Sequence, residues 1–213
     1  MNQALDLLLV FVLLMNFLML GSSWLRVMIR IAAFQGVLLA FMPLFIHHDG
    51  SGRVAALALG TAAVKGALIP SLLLRAMRDA SIRRETNPYI GFVPSLALGA
   101  LGTTAAVLFA RLLPLSPEHT GTLLVPASLA TFLTGFILLT TRRKAVMQVV
   151  GYLILENGIF IFGLLLLDAM PFFIEIGVLL DLFVAIFIMG IVLNHIKREF
   201  SSFDTEHLAD LRE

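Results

Sequence analysis

Residues 145–167 read AVMQVVGYLILENGIFIFGLLLL. The run holds one acid, Glu156, and no base. Wound as a helix at 1.5 Å per residue it is about 34 Å long, enough to cross ~30 Å of hydrocarbon. Water gives such a stretch no place on a protein surface, whereas lipid does. Glu156 lies eleven residues in, near the middle, so the sheltering of its carboxyl has to be explained by whatever packs around this helix.

The rest of the chain repeats the pattern. Further apolar runs occupy 4–21, 25–45, 54–76, 90–112, 122–140 and 172–195. The breaks between them are polar or helix-stopping: Gly21-Ser22-Ser23, His47 through Gly52, Arg78 through Pro88, Pro114 through Gly121, Thr141 through Lys144, and Asp168 through Pro171. Of the 213 residues 59% are hydrophobic and 14% charged, and the mean hydropathy is +0.97. A soluble domain of ordinary composition is about 25% charged. The expected fold is therefore all-α, a polytopic transmembrane bundle of about seven spans. Helices are chosen because an open segment in lipid must satisfy its own backbone.

The basic residues test this segmentation. Arg26, Arg30, Arg75, Arg78, Arg83, Arg84, Arg142, Arg143, Lys144, Lys197, Arg198 and Arg212 fall on one side, twelve of the fifteen. Arg53 and Arg111 fall on the other, and Lys65 lies between. The rich side is expected to be cytoplasmic, which puts the N-terminus outside and the C-terminus inside. The stretch Leu5–Leu20 lacks a basic flank before it and reads as a retained first helix rather than a signal peptide. Residues 1–120 are expected to form a four-helix part, 121–199 a three-helix part, and 200–213 a cytoplasmic tail, either solvated or docked on a partner.

Ionisable residues deep in the spans carry the functional argument. Lys65 lies near the middle of the third span, Glu156 of the sixth and Asp181 of the seventh, with Glu175 nearer the outer end. A charge at the bilayer centre costs roughly 2.5–3.5 kcal/mol on insertion scales. These groups should face protein or internal water. Two readings stand: a proton-relay or charge-coupling path, or a static pair in which Lys65 locks helices together. Desolvation drives a buried carboxylate towards its neutral form and a nearby cation drives it back, which makes it switchable. Gln35, Asn157 and His195 are candidate neighbours of such a path, and equally could be interhelical glue or, for His195, an interface marker. Glycines at 60, 66, 151, 158, 163, 177 and 190 allow close helix approach, and Pro70 removes one backbone bond near Lys65.

The chain has no cysteine, so thiolate metal sites and iron–sulfur ligation within it are excluded. Its five histidines, 47, 48, 119, 195 and 207, all lie away from span centres, against a transmembrane haem pair. His47-His48-Asp49 lacks the spacing of a metal site. No phosphate loop or hydrolase triad is evident, and a net charge of +1 implies no nucleic-acid partner.

Arg142-Arg143-Lys144, then Gly151 through Gly158 with Glu156 and Asn157, then Glu175-Ile176-Gly177 and Asp181 resemble the hydrogenase-4 component E family. Val64 through Pro70 resembles that family's buried lysine followed by a proline, and the tail from His195 to Arg212 continues the likeness. Spans five to seven also resemble the K subunit of respiratory complex I and the C subunit of multisubunit cation/proton antiporters. Glu156 matches the carboxylate of their second helix. Asp181 or Glu175 takes the place of the third-helix acid.

The resemblance implies a non-redox membrane subunit of a complex I-like [NiFe]-hydrogenase or formate hydrogenlyase in a prokaryotic cytoplasmic membrane. It would bind no cofactor itself, the nickel–iron centre and iron–sulfur clusters residing in partner subunits. Its partners would be antiporter-like membrane subunits, a membrane anchor subunit and a peripheral hydrogenase arm. Its buried charges would belong to the hydrophilic axis that couples electron transfer to proton or sodium movement. The alternatives are a scaffold subunit of such a complex, of a related oxidoreductase or of an antiporter, and an independent small transporter.

Overall fold

The computed structural model describes residues 2–46, 52–79, 84–113 and 122–165, together with the single positions Phe183 and Gly190. Helix α1 is Asn2–Gly21, α2 Leu25–Ile46, α3 Gly52–Ala63, α4 Ile69–Asp79, α5 Phe92–Ala110, α6 Leu124–Thr141 and α7 Ala145–Leu164. A π turn, Val64–Leu68, joins α3 to α4, so these three pieces make one crossing. Six helical stretches among the described residues are long and apolar enough to span a membrane. The protein is thus a multi-pass membrane helix bundle. The seventh run, 172–195, lies outside the described residues.

Several helices end at polar or helix-stopping residues. The Gly21-Ser22-Ser23 break ends α1, and Arg142 turns extended, with a ψ of 141°, to end α6. Pro70 shapes the third crossing. A proline lacks an N–H and its ring presses on the carbonyl four residues back. The chain answers with the π turn, in which the Ile69 N–H bonds to Val64 O, five residues back instead of four.

Four helices form a closed ring: α1 on α2, α2 on α7, α7 on α6 and α6 on α1. The α3–π–α4 crossing flanks α2 and touches α7, while α5 flanks α1 and α6. The most extensive contact is α6 on α7, and glycines make it possible. A Cβ on Gly151 would meet the Leu139 backbone nitrogen at 2.6 Å, and one on Gly135 or Gly158 would strike the backbone of the facing helix at Leu155 or Phe132. Bare backbones touching there let dispersion drive the association that hydrophobicity cannot drive in lipid.

The ring is filled by two apolar layers. One, towards the basic end, contains Met19, Leu20, Met28, Ile29, Leu73, Met147, Val150 and Ile154. The other, towards the opposite end, contains Leu9, Val12, Leu39, Met42, Leu124, Ala127 and Ile161. Between the two layers lie the polar residues.

Candidate functional site

Every helix of the ring contributes at least one buried polar side chain to this middle layer. They are Asn16 from α1, Gln35 from α2, Thr131 from α6 and Asn157 from α7. The π turn adds Lys65 from the flank, and α7 adds Glu156. Lys65 is 7% exposed and Glu156 3%. The Lys65 Nζ lies 3.1 Å from Glu156 Oε1 and donates to Asn157 Oδ1 at 3.0 Å. The Phe160 ring is 5.7 Å from the ammonium, the geometry of a weak cation–π contact.

From Lys65 the bonds continue in one direction. Asn157 Nδ2 donates to Gln35 Oε1 at 3.3 Å, Gln35 Nε2 to Asn16 Oδ1 at 3.0 Å, and Asn16 Nδ2 to Thr131 Oγ1 at 2.8 Å. The direction follows from the first member. An ammonium only donates, so Asn157 must offer it an oxygen, which leaves its NH₂ for Gln35, and each amide hands the same orientation on. Aligned amides polarise one another and spread the lysine's charge over the ring. They cannot pass a proton along, because an amide has no readily exchanged acidic or basic site near neutral pH. Among the described members of this network, proton exchange is chemically possible only at the Lys65–Glu156 end. A cleft of about 10 Å³ lined by Ile29, Ala33, Pro70, Leu73 and Leu153 opens beside Lys65, the volume that one water needs.

Of the residues singled out from the sequence, Lys65, Glu156, Gln35 and Asn157 come together here. Asp181, Glu175 and His195 lie outside the described residues, as do His47, His48 and Asp49. Asn16 and Thr131 are members that the sequence reading missed. Asn16 is the one strongly polar side chain in the middle of the first apolar run, which is a usable signal. Thr131 carried none, since hydroxyls in membrane helices commonly bond back to their own backbone, as Thr103, Thr104 and Thr140 do here. Among the described residues no three His, Asp or Glu side chains converge as metal ligands would.

A second polar cluster sits at the basic end, outside the spans. Arg142 is 0% exposed. It donates to Leu20 O at 2.8 Å, at the C-terminal end of α1, and stacks on Phe92 with the guanidinium 4.6 Å from the ring centre. Burial pushes this guanidinium below its ordinary value, and the charge of Glu85 pulls it back up. Glu85 Oε2 accepts from the Lys144 backbone N–H at 3.1 Å, and the Glu85 N–H donates to Ser23 O at 3.0 Å. This cluster ties the α1–α2 break, the 84–91 segment and the α6–α7 connection together.

The uncharacterized protein Rv0085 of Mycobacterium tuberculosis is 33% identical to this chain over 192 residues, covering 89% of this chain and 87% of Rv0085. The hydrogenase-4 component E of Escherichia coli K12 and that of Shigella flexneri are each 27% identical over 148 residues, 68% of this chain and 67% of theirs. No family model matches the chain, and no solved structure matches it at the level these relatives reach.

Proposed function

We propose a function from one premise: the chain belongs to the family of the uncharacterized protein Rv0085 of Mycobacterium tuberculosis. Within that family it acts as a non-redox membrane subunit of a complex I-like hydrogenase or formate hydrogenlyase. Its role is to supply a buried charge pair to the path that couples electron transfer to proton or sodium movement. The more distant likeness to hydrogenase-4 component E supports the hydrogenase setting. The observation that carries the coupling role is the ion pair of Lys65 and Glu156 between two apolar layers. Such a pair is costly to bury, and replacing it by apolar residues is often neutral or stabilising in other proteins. Its presence at mid-span therefore favours a use beyond adhesion. Asp181 or Glu175 on the seventh run would continue the path, and the basic end would face the cytoplasm.

The scaffold reading rests on a different observation. The ammonium is already held by Glu156 and Asn157, and the amide chain beyond Asn157 conducts nothing. One experiment separates the two. In the assembled complex, Glu156→Gln should depress proton-coupled turnover while complex yield stays near wild type. Normal coupling in that variant would sink the coupling role, and lost assembly would favour the scaffold.

A further inference from the structure

The arginines of the basic end do not all behave alike. Arg142 is buried, but Arg84 and Arg143 are exposed, and each lies on an aromatic ring that is itself exposed. The Arg84 guanidinium is 3.4 Å from the ring centre of Trp24, which is 46% exposed. The Arg143 guanidinium is 4.6 Å from that of Tyr89, which is 66% exposed. Among the described residues neither guanidinium donates a hydrogen bond to a protein acceptor.

The backbone holds the two stacks beside each other. Arg84 pairs with Trp24 in an isolated antiparallel bridge, and the next residue, Glu85, bonds through its backbone to Ser23. The same Glu85 takes the N–H of Lys144 in its carboxylate, the residue next to Arg143. The Tyr89 N–H donates to Thr141 O at 2.8 Å, which sets the second ring against the end of α6. Both arginines thus flank one hydrogen bond, Lys144 to Glu85. Arg84 adjoins Glu85 in the chain, and Arg142 and Arg143 directly precede Lys144, so these four basic residues and one acid lie within two residues of this bond.

Stacking uses the face of a guanidinium and leaves its N–H edge for an anion, and that fork matches two oxygens of a phosphate. Tryptophan and tyrosine rings prefer the headgroup level of a bilayer, where the ends of these spans must lie. We infer that Arg84 and Arg143, seated on Trp24 and Tyr89, bind the phosphodiester headgroup of an anionic phospholipid at the basic face. Anionic headgroups of a cytoplasmic leaflet are attracted to juxtamembrane cations, so a basic end that faces the cytoplasm, as proposed above, meets this ligand. A zwitterionic headgroup carries the same phosphate with its charge cancelled and is held less well.

Trp24 is the single tryptophan of the chain, so its fluorescence reports this site alone. The full chain in non-ionic detergent is titrated with dihexanoyl phosphatidylglycerol, dihexanoyl phosphatidylcholine and inorganic phosphate. Phosphatidylglycerol is expected to give a saturable change in Trp24 emission, with half-saturation about tenfold or more below that of phosphatidylcholine, the scale of attraction between two juxtamembrane cations and a headgroup with net negative charge. Arg84→Gln with Arg143→Gln should abolish the difference. Native mass spectrometry of Arg143→Gln, which keeps the Trp24 stack, should retain less phosphatidylglycerol than wild type. Equal response to the two lipids, or a preference that survives both substitutions, overturns the inference. A response to inorganic phosphate equal to that of phosphatidylglycerol overturns the lipid source. So does a response that appears only after residues 200–213 are deleted, which would assign the site to the chain's own acidic tail.

Discussion

The stem of Lys65 lies against Gly36, so closely that a Cβ on residue 36 would stand 2.9 Å from the lysine Cβ and 3.0 Å from its Cδ. The near atom is the root of the side chain, not its movable tip. An added methyl must therefore push the π turn away from α2 and draw Nζ off Glu156. Gly36→Ala is expected to cost about 1–3 kcal/mol, the usual range for overpacking. Thermal unfolding in detergent followed by near-ultraviolet circular dichroism measures it. A midpoint equal to wild type would mean that Lys65 is not held by α2.

The contact of α6 with α7 makes a sharper comparison. Gly135 and Gly158 each face the backbone of the neighbouring helix, which cannot yield as a side chain can. Gly60, in contrast, has nothing within 4 Å of its added Cβ. Gly135→Ala and Gly158→Ala should separate the helices and lower the unfolding midpoint. Gly60→Ala should leave it unchanged or raise it, since alanine favours a helix over glycine by up to about 1 kcal/mol. The sign difference within one chain tests the packing without reference to any partner.

Where the sequence was informative, the reason was chemical rarity. A lysine in 54–76 and a glutamate in 145–167 stand out because lipid tolerates few charges, and the span limits follow from where apolar residues stop. What pattern reading could not reach was the direction in which Lys65 points. A periodicity of 3.6 residues assumes an unbroken α-helix, and the π turn at Val64–Leu68 changes the facing of the lysine relative to α4. Gly135 escaped notice because one glycine in an apolar run looks like any other until its neighbour is known. Arg142 was placed only as one cation of the basic side, because counting cations in connections says nothing about their burial.

The amide chain should be energetically coupled along its length. Thr131→Val keeps the shape and removes the acceptor for Asn16, at a cost near ~0.6 kcal/mol, the average for interhelical bonds in membranes. Gln35→Leu removes the middle member and strands both Asn157 Nδ2 and Asn16 Oδ1, so it should cost about 1–3 kcal/mol. In a double-mutant cycle on stability, Thr131→Val should lose most of its effect once Gln35 is leucine, because Asn16 is then free to turn. Simple additivity would show that the bonds are independent contacts and not a polarised chain.

Arg142 offers the largest expected effect. It is fully buried, its N–H groups reach Leu20 O, and Glu85 faces it with a charge. Arg142→Gln removes a charged hydrogen bond to Leu20 O and the stack on Phe92 from a fully buried site and should cost roughly 2–4 kcal/mol, whereas Arg143→Gln at the exposed neighbour should cost little. Arg142→Lys should not rescue, because a compact ammonium cannot lie flat on Phe92 while it bonds to Leu20. The pH dependence has a definite sign. A cation whose folded value is depressed makes the unfolded state the better proton binder, so its cost persists at every pH below the folded value and lifts only as pH rises through it. Guanidinium stays charged throughout the neutral range. The gap in unfolding midpoint between wild type and Arg142→Gln should therefore stay constant from about pH 6 to pH 8. A gap that changed across that interval would point to a different titrating group, and Arg142 would no longer account for the stability of the basic end.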